Sequence, residues 1–71
     1  MQKGLYQYYK GNRYEVMDTV IHSETQEVLV LYRALYGEMG LWVRPYTMFF
    51  ESITIDSKEV QRFKYIGDTD E

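Results

Sequence analysis

The sequence predicts an all-β domain, a small SH3-like barrel or roll of five or six short antiparallel strands with one short helical turn. Aromatic residues make up 17% of the 71 residues, led by eight tyrosines, and aromatic and β-branched side chains suit the pleated, half-buried surface of a strand. Apolar residues alternate in short runs separated by glycine, asparagine, serine and aspartate, the residues that turns require. No segment carries enough apolar residues at helical spacing for a full amphipathic helix. Closely spaced short strands in one small chain indicate a barrel or roll. The SH3-like form is an analogy resting on a proline and helical turn between late strands.

A first strand is predicted from about Leu5 to Tyr9, ended by Lys10-Gly11-Asn12, whose Gly-Asn pair tolerates the positive φ of a tight turn. A second runs from about Arg13 to His22, with Tyr14 and Val16 on one face and an interruption at Asp18 that suggests a bulge. Ser23 to Glu27 is polar and forms the next loop. The clearest strand is Val28 to Ala34, where both alternating sets are largely apolar, so cover is expected on much of both faces. Tyr36 to Gly40 is a glycine-rich connection to a short strand, Leu41 to Arg44, which Pro45 ends. Tyr46 to Phe50 has room for one helical turn. Two last strands, Ser52 to Ile55 and Gln61 to Ile66, flank an Asp56–Glu59 loop, and residues 67–71 read as a frayed acidic tail.

The whole chain, 1–71, fits one domain, and at this length the core must be efficient. There is no cysteine, and a single histidine cannot build a structural zinc site of the usual Cys/His kind. The net charge is −3, with Lys3, Lys10, Arg13, Arg33, Arg44, Lys58, Arg62 and Lys64 scattered among acidic neighbours. Nucleic-acid binding, which rests on phosphate neutralisation, is disfavoured. The N-terminus has no apolar signal core, and the longest aliphatic run, Val28 to Leu31, is far too short to cross a bilayer. The expectation is a cytoplasmic protein with no membrane partner.

No catalytic, metal or cofactor motif emerges, so the chain is read as a non-enzyme with no cofactor. The carboxylates lack calcium-loop spacing, and Gly37-Glu38-Met39-Gly40 lacks the length and the Lys-Ser/Thr ending of a phosphate loop. His22-Ser23-Glu24-Thr25 places a histidine, a hydroxyl and a carboxylate together. Neighbouring strand residues point to opposite faces, however, so a turn in which Ser23 or Thr25 bonds the backbone and His22 pairs with Glu24 is the plainer reading.

The most promising cluster is Leu41-Trp42-Val43-Arg44-Pro45 with Phe49, Glu51 and Arg62. Alternation places Trp42 and Arg44 on one side of their strand, where an aromatic groove beside a guanidinium would suit a peptide, a base or a carboxylate. The competing reading makes Trp42, Met48, Phe49 and Phe63 core, with Arg44 or Arg62 paired to Glu51. Tyr6, Tyr8 and Tyr9 cannot all face inward, so at least one is expected to be partly exposed. Together with Tyr36 and Tyr46 they form either a second aromatic surface suited to a partner or a weak homodimer, or simply amphipathic rings with wet hydroxyls.

The order Gly4-x-Tyr6-x-x-Tyr9-Lys10-Gly11-Asn12-x-Tyr14-x-Val16, His22-Ser23-Glu24-Thr25, Tyr32-x-x-Leu35-Tyr36-Gly37, Leu41 to Pro45, Met48-Phe49-x-Glu51 and Arg62-Phe63 resembles the bacterial domain of unknown function 1653 family over nearly the whole chain. The departure is Tyr8, where relatives often carry histidine. The resemblance implies a small protein of SH3-like roll architecture, with no established activity, cofactor or partner. The leading expectation is therefore a non-catalytic binding or protein-interaction module, with Trp42, Arg44, Phe49 and Glu51 lining the contact surface, joined by His22, Tyr9 and Arg62. Alternatives are a small-molecule or hydrolytic site around His22 and Glu24, and a nucleic-acid-binding barrel on which Arg13, Arg33, Arg44 and Arg62 would converge.

Overall fold

The computed structural model describes residues 1–68. Strands β1 (Gly4–Tyr8), β2 (Arg13–Ile21), β3 (Val28–Ala34) and β4 (Leu41–Pro45) are followed by a single-turn helix, α1 (Tyr46–Phe49). Strands β5 (Ser52–Ile55), β6 (Lys58–Gln61) and β7 (Phe63–Gly67) complete the order. Five strands form an antiparallel sheet in the order β4-β3-β2-β1-β7, and β5 and β6 pair only with each other. The fold is all-β with one helical turn, but the sheet does not close into a barrel. Closure is replaced by insertion: α1 turns away at Pro45, its Phe49 enters the core, and β4 and β7 remain at opposite edges of the sheet. No helix among the described residues is long and apolar enough to cross a membrane.

Turn chemistry accounts for most of the connections. Tyr8 N–H donates to Asn12 C=O at 2.8 Å across the β1–β2 turn, where Gly11 has φ 110°, a conformation that side chains oppose. The register between β2 and β3 slips between Val16, opposite Tyr32, and Asp18, opposite Leu31. Met17 is thus the extra residue of a bulge, one position before the predicted interruption. The slip keeps Val16 on the core side and turns Asp18 outward, where its Oδ1 accepts the Thr19 N–H at 2.8 Å.

The late strands differ from the expectation. Asp56 and Ser57 both have positive φ, 51° and 66°, the pair of left-handed residues of a type I′ hairpin turn. That two-residue turn makes Lys58–Gln61 a strand of its own instead of part of a loop. Arg62 then bends the chain between β6 and β7, because its N–H donates to Glu51 C=O at 3.1 Å and its C=O accepts Tyr9 N–H at 3.0 Å. The predicted tail is also shorter: Gly67 ends β7, and Asp68 Oδ1 accepts the Tyr65 hydroxyl at 2.9 Å. Residues 69–71 of that tail lie outside the described residues. Glycine suits the second position of a type I′ turn. Ser57→Gly is therefore expected to stabilise the fold by about 1 kcal/mol, readable as a higher urea midpoint at unchanged slope.

The core lies on one face of the five-stranded sheet and consists of Tyr6, Tyr14, Val16, Val30, Tyr32, Ala34, Phe49 and Phe63. Phe49 and Phe63 stack with ring centroids 4.1 Å apart and planes at 5°. Tyr6 meets Phe49 edge-on at 5.6 Å, and Tyr14 meets Phe63 edge-on at 5.5 Å, the arrangement that ring quadrupoles favour. Two of the core phenols have hydroxyl partners close at hand: Tyr6 donates to Gln2 C=O at 2.7 Å, and the Tyr14 and Tyr36 hydroxyls share a bond of 3.1 Å.

Burial, reinforced by that bond to Tyr36, pushes the Tyr14 phenol up to about 12, and burial together with Tyr46 pushes Tyr6 upward as well. A phenol that holds its proton more tightly when folded contributes stability that is complete below its unfolded value near 10. The contribution is lost as pH rises through the folded value. For Tyr14 the loss falls between about pH 10 and 12. Alkaline denaturation followed by circular dichroism should show this decline, and Tyr14→Phe should flatten it.

Candidate functional site

Strand β4 is an edge strand carrying three successive bare apolar side chains. Leu41 is 52% exposed, Trp42 60% and Val43 51%. Trp42 stands directly opposite Tyr32, and Arg44 opposite Val30, so both lie on the core side of the sheet, as the alternation predicts. The core ends between the two strands: Tyr32 is buried, whereas Trp42 is in solvent at its rim. A side chain at Gly40 would come within 3.4 Å of the indole nitrogen, so the ring lies close along this glycine. The Arg44 guanidinium sits 5.6 Å from the Phe63 ring centroid, within reach of a cation–π contact that holds it beside the core.

The remaining predicted residues divide by role. Phe49 is wholly buried, 0% exposed, so it is core and not part of a contact surface. One helical turn after Pro45 is enough to point it at Phe63. Glu51 and Arg62 form a close ion pair between the segment before β5 and the bend before β7. Burial alone would pull the Arg62 value down. The hydrogen bond and charge of Glu51, helped by Tyr8, outweigh that and leave it above the ordinary arginine value. This pair braces the β5–β6 hairpin against the main sheet. Tyr8 lies against the Arg62 guanidinium and supports that brace.

His22 lies apart from this group, at the tip of the β2–β3 hairpin. Its Nδ1 accepts the backbone N–H groups of Glu24 at 3.1 Å and Thr25 at 3.3 Å. It is therefore the peptide of Glu24, not its carboxylate, that meets the imidazole. Thr25 Oγ1 accepts the Glu27 N–H at 3.2 Å, as expected for a turn-forming hydroxyl. Among the described residues no three of histidine, aspartate and glutamate converge as metal ligands.

Tyr9 belongs to a different feature that strand patterning missed. Its ring packs on Tyr8 with centroids 4.6 Å apart and carries Lys10 Nζ at 5.7 Å. It borders an open groove of about 540 Å³ with Gln7, Gln61, Lys64 and Ile66 along its walls. The groove exists because β6 is a separate strand set beside β7. The four arginines do not share a face: Arg33 opposes Leu41 and Glu15, while Arg44, on the neighbouring strand, points to the other side. Arg33 is further tied to Met39 C=O at 2.8 Å.

The fold is shared with a crystal structure of a DUF1653 protein from Bordetella bronchiseptica, which is 30% identical, with a TM-score of 0.88 over 97% of this chain and 91% of that one. No curated protein matches the chain. The model of the protein family of unknown function DUF1653 matches residues 4–65, nearly the full length over which the motifs run, and the chain belongs to that family.

Proposed function

We propose that this protein is a non-catalytic interaction module, acting in the cytoplasm, that takes an extended protein segment along the open edge of β4. One observation carries the reading. Leu41, Trp42 and Val43 are all more than half exposed on a strand whose outer edge has no neighbouring strand among the described residues. An exposed apolar edge is what soluble proteins ordinarily cover, shorten or charge. An added strand gains main-chain hydrogen bonds from such an edge and specificity from alternate side chains. Trp42 supplies a flat apolar anchor, and Arg44 supplies a fixed positive charge beside it.

Several features weigh against the other readings. The Nδ1 of His22 is turned to its own loop and accepts the Glu24 backbone N–H in place of meeting its carboxylate. The arginines divide between two faces of the sheet, and the net charge is −3, so phosphate neutralisation has no focus.

Chemical-shift mapping of ¹⁵N-labelled protein against extended peptides, nucleotides and oligonucleotides tests the proposal. Peptides should shift Leu41 to Pro45 and the Trp42 indole signal, while nucleotides and oligonucleotides should leave them unmoved. Shifts confined to Gln7, Tyr9 and Lys64 would move the function to the groove and overturn the β4 reading.

A further inference from the structure

The polar groups on the open edge of β4 stand in a self-complementary order. Ala34 N–H donates to Gly40 C=O at 3.1 Å, and this pair continues the register that sets Tyr32 opposite Trp42 and Val30 opposite Arg44. Hydrogen-bonded and non-bonded pairs alternate along an antiparallel ladder. Trp42 and Arg44 therefore spend their N–H and C=O groups on β3, while Leu41, Val43 and Pro45 turn theirs to the open side. The proline agrees with this, since a residue without an N–H belongs on the side of an edge strand that needs none.

We propose that the segment received by β4 is the β4 strand of a second copy, running antiparallel across a two-fold axis at Val43. The proposal rests on the interaction-surface reading above and names its partner. On that axis Val43 exchanges two hydrogen bonds with its symmetry mate, and each Leu41 N–H meets the Pro45 C=O of the other copy. Every free N–H of the edge is then used. Each Trp42 faces the Arg44 of the other copy in a non-bonded pair, where side chains approach most closely. Indole is the ring best suited to a cation. On the opposite face Val43 meets Val43 and Leu41 meets Pro45, so apolar groups cover apolar groups. An axis at Trp42 would make as many backbone bonds. It would, however, set indole against indole and leave both guanidiniums facing Gly40, so charge complementarity selects Val43.

A strand of five residues covers less than the roughly 1,200 Å² of a standard stable complex, so the dimer is weak and forms at about 0.1–1 mM. Sedimentation equilibrium and amide exchange of the full chain, from about 20 μM to about 2 mM, would test it. The expected result is a monomer–dimer equilibrium in which the Leu41 and Val43 amides gain protection with concentration, while those of Trp42 and Arg44 do not change. Val43→Lys, which sets like charges face to face on the axis, should abolish dimerisation at an unchanged melting temperature. Arg44→Gln should weaken the dimer about fivefold to thirtyfold through the loss of two cation–π pairs. It carries the test if the lysine variant fails to fold.

A chain that remains monomeric at the highest concentration overturns self-pairing, as does a dimer that leaves Leu41 and Val43 unprotected. A dimer indifferent to Arg44→Gln overturns the axis at Val43. Peptides that shift β4 in a strictly monomeric chain would leave the interaction surface standing and remove only the second copy as its partner.

Discussion

Phe49→Ala should lower the melting temperature by about 12–40 °C, whereas Trp42→Ala should melt close to the parent chain. Phe49 is fully buried, stacked on Phe63 and met edge-on by Tyr6. Truncating such a ring costs about 3–5 kcal/mol in lost burial and cavity. A domain of this length has only about 4–10 kcal/mol to lose, and each kcal/mol is worth ~4–8 °C of melting temperature. Trp42 is already mostly in water, so its removal should change stability by about 0.5 kcal/mol or less. Thermal denaturation of the two variants side by side checks both statements. If the two fall together, Trp42 belongs to the core and the proposed surface is lost.

Gly4→Ala should be the second most damaging substitution, with a loss of about 3 kcal/mol or more. Gly4 has φ 138°, and a Cβ there would lie 2.6 Å from the carbonyl oxygen of Gly67. That oxygen is main chain, so relief requires β1 and β7 to part. Strand β1 sits between β2 and β7, and displacing its start disturbs two ladders together. Urea denaturation should show a lower midpoint. Loss of the Tyr65 and Gly67 amide protection, with that of β3 retained, would localise the damage.

These two glycine and aromatic positions show where sequence patterning succeeds and where it stops. Val28–Ala34 is legible to the residue because both of its alternating sets are apolar, and no other periodicity fits them. Pro45 correctly marks the end of β4. Strand β6 is invisible because Lys58, Glu59 and Gln61 are polar and its turn is Asp-Ser, without the glycine that usually announces a tight hairpin. The groove beside Tyr9 depends on that strand and is hidden with it.

Trp42 and Phe49 are equally aromatic and only a few residues apart. Alternation places Trp42 on the core side, yet that face runs out of core at β4. Only the three-dimensional position of α1 shows that Phe49 fills the space instead. The sequence offers Glu51 either Arg44 or Arg62 as its partner, and the bend that ends β6 selects Arg62. An isolated loop histidine likewise says nothing about whether its ring is free, and here Nδ1 is occupied by the backbone two and three residues on.

The interaction-module account requires that β4 present an open edge in the dilute, unliganded protein. Amide hydrogen exchange measured residue by residue at low concentration tests this most directly. The account predicts alternation along the strand: Trp42 and Arg44 amides protected by their bonds to β3, Leu41 and Val43 amides exchanging almost as freely as in an unstructured chain. Protection of all four alike would mean that the edge is already covered within a single molecule, and would contradict the account.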